Sequence, residues 1–328
     1  MVCTMLKNGN ALLGGMALAL AMVAAGPALA AGSSPYKVTY IQGVTGNPFY
    51  ITVACGAQAE ARKLNVAFST TGPQQYDPAM QTQVLDAAIA SRPDAIMISV
   101  DDPVALIPSL TQAKAAGIKI VMIDGDPKEK SLAVTNIQSN NAKGGAIAAD
   151  QLAKLIGEKG TVMALTHFPS GGVTGQRLDG FAQEIKKYPK IKYLGVQYSH
   201  NQTAKAASIV SSTAAAHPDL NGIFTVTTNN TEGAATGIRE AGRTGKIKLV
   251  GFDTSDPIVK DIGQGIVDAD VVQYPYKLGQ LGLQAAVDAL DGKTVEREMA
   301  TPFVVATPGN INSAEVEKYL YRSSCPSK

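Results

Sequence analysis

The sequence predicts an α/β protein of two lobes, each a parallel sheet flanked by helices. Apolar runs of strand length alternate with amphipathic helical patterns almost without interruption, as in parallel strands joined through helices. That order runs once to about Gln138 and again from Ser139, so the chain reads as two similar halves. Its 328 residues also suit two domains of roughly 100–200 residues each. Tryptophan is absent and alanine abundant, which suits helices packed closely on a sheet.

Strands are expected at 37–42, 65–69, 95–100, 119–123, 161–165, 192–197, 222–226, 248–252 and 269–273. Between the second and third, residues 77–90 form a helix: Asp77 can cap it, Pro78 fits its first turn, and Val84, Leu85, Ala88 and Ile89 share a face. A helix over 276–291 carries Leu278, Leu281 and Ala285 on one stripe. It follows the second half and is read as returning to the first lobe. No Pro/Gly/Ser-rich linker separates the halves, so the passage between lobes is short and ordered.

The amino terminus reads as a secretory signal peptide over residues 1–30. Lys7 precedes an apolar stretch at 11–25, and Ala28-Leu29-Ala30 supplies a small-x-small cleavage site after Ala30. Lipid anchoring needs a cysteine just after such a run, whereas Cys3 lies before it. A soluble, exported, periplasmic protein is therefore expected. Cys55 and Cys325 can pair in an oxidising compartment, but nothing in the sequence brings them within the ~7 Å that bridging requires, and they are read as two separate thiols. No CxxC or histidine-rich cluster points to a metal, and no cofactor is implied. Interspersed charges, with a net charge of +2, leave no basic stripe for nucleic acid.

Gly43-Val44-Thr45-Gly46-Asn47-Pro48-Phe49-Tyr50 lies where the first strand hands over to a helix, at the carboxyl end where open α/β sheets bind ligands. Asn47 can both donate and accept hydrogen bonds, and Phe49 and Tyr50 can cover the C–H face of a polyhydroxylated ligand. An ordinary helix-capping loop would look the same in isolation.

A longer ordered set narrows the reading. Gly46-Asn47-Pro48-Phe49-Tyr50, Ala116-Gly117-Ile118-Lys119-Ile120-Val121-Met122-Ile123-Asp124, Gly144-Gly145, Arg177-Leu178-Asp179-Gly180-Phe181, Ala216-His217-Pro218-Asp219, Val250-Gly251-Phe252-Asp253 and Gln273 follow one another over residues 36–310. In these pieces and spacings the chain resembles the periplasmic sugar-binding proteins, the family that includes the ribose-, allose- and galactose-binding proteins. The resemblance implies two Rossmann-like lobes joined by three crossings and closing on a ligand. It implies an N-terminal lobe of 36–138 plus 274–302 and a C-terminal lobe of 139–273 plus 303–320. Carried over, Asn47, Phe49, Tyr50 and Asp124 line the first lobe's side of the cleft, and Arg177, Asp253 and Gln273 the other side or the hinge. Sugar hydroxyls both donate and accept, so carboxylate, amide and guanidinium groups suit them. Taken singly, Asp124 and Asp253 could instead cap helices, Arg177 could pair with Asp179 or Glu184 at the surface, and Gln273 could be solvated.

Three positions depart from the family pattern. Where ribose-binding members place an arginine after the first-lobe aspartate, this chain has Gly125 and then Asp126. Thr227 stands where asparagine is common, with Asn229 and Asn230 close by, and Asn201 falls where an aromatic wall is common. These changes bear on which pentose, hexose or polyol is bound, because an unpaired buried polar group costs ~1–3 kcal/mol. Gly72-Pro73-Gln74-Gln75-Tyr76-Asp77-Pro78 with Asp124 and Asp126 also resembles the branch that binds the furanosyl signal autoinducer-2, the alternative ligand.

Enzyme classes find little support. Phe168-Pro169-Ser170-Gly171-Gly172 is not a GxSxG elbow. Of the histidines, His217 lies at a helix end and His167 at a strand end near the cleft, where it can meet ligand. No phosphate-binding GxxxxGK[ST] or GxGxxG motif occurs. A leader stands where a lobed repressor would carry a helix-turn-helix. The expected partners of this non-enzymatic, monomeric protein are a sugar and an ABC transporter permease, with a chemoreceptor or sensor kinase as the alternative.

Overall fold

The first strand, β1 (Lys37–Ile41), hands over to helix α1 (Pro48–Leu64) through a cap that the sequence encodes locally. The Asn47 side-chain carbonyl accepts from the Phe49 amide at 2.9 Å, and Pro48, which has no amide hydrogen to leave unpaired, takes the first helical position. Asn65 ends α1 in the left-handed conformation, φ 53°. Strand β2 (Ala67–Thr71) therefore starts two residues later than the sequence suggests. Asp77 caps α2 (Pro78–Ala90) by accepting from the amides of Ala79 and Met80 at 2.8 and 2.9 Å. The computed structural model describes residues 35–102, 104–125, 128–169 and 171–325. The leader with its cleavage site at Ala30, Cys3, Asp126 and Ser170 lie outside the described residues.

The first half continues through β3 (Ala95–Ile98), α3 (Ile107–Ala115), β4 (Lys119–Ile123) and β5 (Thr135–Ser139). The second runs α4 (Asn141–Leu155), β6 (Lys159–Thr166), α5 (Gly172–Glu184), β7 (Lys190–Tyr198), α6 (Thr203–Ala216), β8 (Leu220–Thr225), α7 (Thr228–Glu240), β9 (Lys248–Phe252), α8 (Asp256–Gly263) and β10 (Ala269–Val272). Last come α9 (Pro275–Leu290), β11 (Glu298–Thr301), β12 (Val304–Ala306) and α10 (Ala314–Glu317). β5 has no counterpart among the expected strands, because Thr135, Asn136, Gln138 and Ser139 interrupt any apolar run. Its pairing with β4 and burial by neighbours make it a strand.

Two six-stranded sheets result, ordered β11-β5-β4-β3-β1-β2 and β12-β10-β9-β8-β6-β7. Every pairing is parallel except that of β12 with β10. The chain passes between the sheets three times: from β5 into α4, from β10 into α9, and from β11 into β12. A hydrogen bond of 3.0 Å between the hydroxyls of Ser139 and Thr301 ties two of these crossings together.

Helix α9 returns to the first sheet, packing on β3, β4 and α1, with Leu278 and Ala285 buried. Gly56 and Gly279 let α1 and α9 approach closely. A β-carbon on Gly56 would stand 1.9 Å from the Tyr276 carbonyl oxygen, and one on Gly279 1.9 Å from that of Val53.

The reading of Cys55 and Cys325 as separate thiols is corrected. They form a disulfide with Cα atoms 5.2 Å apart. The segment after α10 runs back to α1, a path with no local signal in the sequence.

Because the α1–α9 contact has no room for a side chain, Gly279→Val is expected to lower unfolding stability by about 1–3 kcal/mol through forced overpacking. Urea unfolding of the variant beside the parent protein measures it.

Candidate functional site

Parallel strands deliver their polar termini to one place. Asn47 follows β1, Tyr76 follows β2 and Asp124 follows β4, while His167, Asn201, Thr227 and Asp253 follow β6, β7, β8 and β9. These residues, with Phe49, Tyr50 and Arg177 of α5, line one cavity between the two lobes. Gln273 does not line it. It is fully buried at the start of the second crossing, and its Nε2 donates to Asp253 Oδ1 at 3.0 Å.

Arg177 is the centre of the site and is only 2% exposed. Its Nε donates to Asn141 Oδ1 at 2.8 Å, and its Nη1 donates to the Val226 carbonyl at 2.9 Å and to Asp253 Oδ2 at 3.2 Å. Nη2 stands 3.8 Å from Asp124 Oδ2, an ion pair between lobes rather than a close hydrogen bond. The guanidinium lies 3.9 Å from the centroid of the Phe252 ring, which supports it from below. Helices α4 and α5 meet tightly enough to set this position, since a β-carbon on Gly145 would be 1.9 Å from the Arg177 carbonyl oxygen. The surface pairing with Asp179 or Glu184 considered above is not what holds it.

Both aspartates project from left-handed backbone, φ 49° at Asp124 and 74° at Asp253. Such strain in a residue other than glycine persists where surrounding contacts over-determine the conformation. Asp253 is held from three sides: Oδ2 meets Arg177, and Oδ1 accepts from Gln273 and from the Tyr321 hydroxyl. Asp124 keeps Oδ1 without a partner. Burial pushes its carboxyl up to about 6, Arg177 opposing and Asp253 reinforcing the rise.

The cavity therefore presents open donors and an open acceptor. Asn47 uses its carbonyl for the helix cap and retains its amide hydrogens. Asn201 Oδ1 accepts from Asn229 at 3.1 Å, leaving its own amide group to donate. The Nδ1 of His167 accepts from the Phe168 amide at 2.8 Å, so its proton sits on Nε2. Burial, then Arg177, pulls the imidazole down to about 4, keeping it neutral. The Thr227 hydroxyl donates to Asn230 Oδ1 at 2.7 Å. On the apolar side, Phe49 meets Tyr50 edge-on with centroids 5.2 Å apart.

Tyr76 and Thr174 also line the cavity, and neither was singled out as a site residue from the sequence. Tyr76 precedes the capping Asp77 directly after a strand, which is a usable signal. Thr174 lies one helical turn before Arg177 and carries none.

Residues 38–294 match the family model described as a periplasmic binding protein domain. The chain belongs to the periplasmic binding protein family. It is 28% identical to the ribose import binding protein of Bacillus subtilis (strain 168) over 261 residues, 80% of this chain and 84% of that protein. A solved ABC transporter solute-binding protein from Agrobacterium vitis, bound to alpha-D-tagatopyranose, is 33% identical, with a TM-score of 0.86 over 88% of this chain and 99% of that one. A second from the same organism, bound to D-fucose, is 28% identical, with a TM-score of 0.83 over 87% and 100% of the two chains.

The raised carboxyls set a pH dependence. Asp124, at about 6, and Asp101, pushed up to about 9 by burial, bind protons more tightly folded than unfolded. They stabilise the ligand-free protein at low pH, and that contribution falls as pH rises through their folded values. The ligand-free melting temperature is thus expected to be higher near pH 5 than near pH 8, as calorimetry across that range would register.

Proposed function

We propose that this periplasmic binding protein captures a monosaccharide between its lobes and delivers it to an ABC importer. The observation that carries this reading is the buried Arg177 between Asp124 and Asp253, set in a cavity that also holds Asn47, Asn201 and the rings of Phe49 and Tyr50. A sugar ring offers what that cavity lacks: hydroxyls for the unpartnered Asp124 Oδ1 and the free amide groups, and C–H faces for the aromatic rings. The similarity to import binding proteins and to solute-binding proteins solved with tagatose and fucose supports the same ligand class.

In this reading Asn47, Phe49, Tyr50, Asp124, Arg177, Asn201, Thr227 and Asp253 contact the ligand, and Gln273 acts by holding Asp253. The lobes comprise 36–138 with 274–302, and 139–273 with 303–320, supported by the placement of β11 in the first sheet and β12 in the second. The mature protein begins after Ala30 and works as a monomer in the periplasm. Binding follows from divided contacts: each lobe holds part of the site, so ligand contributes most when the lobes are closed and shifts the population toward that state. Gly125, in place of a second guanidinium, favours a sugar other than ribose.

A thermal-shift screen of residues 31–328 against D-tagatose, D-fucose, D-arabinose, D-allose, D-ribose and autoinducer-2 tests this, because a ligand of the native state raises its melting temperature. A response to a sugar is expected. A response to autoinducer-2 alone would move the protein to signalling, and silence with all six would overturn the reading. Arg177→Ala and Asp253→Ala are each expected to weaken sugar binding at least about tenfold, or about 1.4 kcal/mol, by isothermal titration calorimetry. Affinity is also expected to fall about tenfold from pH 7 to pH 5, as Asp124 takes up a proton and loses its charge as an acceptor.

A further inference from the structure

Beyond α10 the chain does something that neither the two sheets nor their three crossings require. Residues 318–325 run from the second lobe to the first, making contacts all the way. The Tyr319 ring packs on Tyr274 of the second crossing, with centroids 4.5 Å apart. Tyr321, 5% exposed, donates its amide to Thr254 Oγ1 at 3.1 Å and its hydroxyl to Asp253 Oδ1. Its ring lies edge-on to Phe49 of α1, with centroids 5.7 Å apart. The Arg322 amide then donates to Thr52 Oγ1 at 2.7 Å, and Cys325 closes the path through its disulfide to Cys55.

We propose that this tail is a fourth, covalently closed connection between the lobes, and that through it Tyr321 is a positioning residue for the sugar site. Tyr321 does not line the cavity; it acts on two residues that do, Phe49 from the first lobe and Asp253 from the second. Without its hydroxyl, Asp253 Oδ1 keeps only the bond from Gln273, and a carboxylate held from fewer directions is less well aimed. The disulfide anchors the tail to α1, about one and a half turns after Tyr50. Because Cys325 moves with the first lobe, separation of the lobes must pull Tyr321 from Asp253 and Thr254, and closure restores both contacts. The tail thus adds to the closed state an interaction that the open state lacks, and the apparent affinity for ligand rises with the closed population. This inference rests on the sugar-binding reading above.

The test uses the full mature chain with Tyr321→Phe, which keeps the ring against Phe49 and removes the hydroxyl, and with Cys325→Ser, which frees the tail. The probe is whichever of D-tagatose, D-fucose, D-arabinose, D-allose and D-ribose binds the parent protein most tightly by isothermal titration calorimetry. Tyr321→Phe is expected to raise the dissociation constant about tenfold with the sugar-free melting temperature nearly unchanged, and Cys325→Ser to shift affinity the same way by a faster off-rate. A purely structural tyrosine would do the reverse, lowering the melting temperature and leaving affinity alone. Affinity within twofold of the parent in Tyr321→Phe overturns the proposal; should that variant not fold, the same threshold applied to Cys325→Ser decides. Should the parent bind none of these five sugars, the sugar reading fails by itself, and amide hydrogen exchange judges the tail. Protection of the Tyr321 and Arg322 amides that is lost in Cys325→Ser upholds it, and equal exchange in both proteins overturns it.

Discussion

The rest of the structure depends on one buried guanidinium. A cation as enclosed as Arg177 is tolerable only when anions and hydrogen-bond acceptors meet it from several sides. Here they come from both lobes: Asp124 from the first, and Asn141, Val226 and Asp253 from the second. The close meeting of α4 and α5 and the left-handed backbone at both aspartates can be understood as conditions for that arrangement. Substituting any one of these groups would leave a charge buried without its partner, which is why they form a single unit.

The same unit joins the two lobes unequally. The Arg177–Asp253 contact lies within the second lobe, whereas the longer Arg177–Asp124 pair spans the cleft at 3.8 Å. The interlobe contact is the weaker one and leaves Asp124 with an unpartnered oxygen. In the proposed reading, a hydroxylated ligand between these groups satisfies both at shorter range, so ligand and closure reinforce each other. Gln273, at the start of a crossing and bonded to Asp253, links the chain path between the lobes to the orientation of a cavity-lining carboxylate.

Much of the architecture was legible because its signals are local. Asn47-Pro48 and Asp77-Pro78 mark helix starts through capping and the fixed φ of proline. The buried strands β3, β4, β6, β8, β9 and β10 read as apolar runs because parallel strands covered on both faces need them. β5, β11 and β12 escaped because they are short or polar, and neighbouring strands rather than their own residues make them strands. The cavity-lining positions Asn47, Phe49, Tyr50, Asp124, Arg177 and Asp253 could be named because each belongs to a recognisable sequence piece, whereas Thr174 has no such neighbour.

By itself, then, the sequence determined the alternation of strand and helix, the duplication into two halves and the set of polar residues at strand ends, since all of these follow from periodicity and short-range capping. Only the tertiary structure decided which of those residues share a cavity and that Arg177 is buried rather than superficial. It also decided that Gln273 stands behind Asp253, and that Cys55, 270 residues from Cys325, is bonded to it. These outcomes depend on contacts between segments far apart in the chain, and no local propensity encodes the distance between such segments.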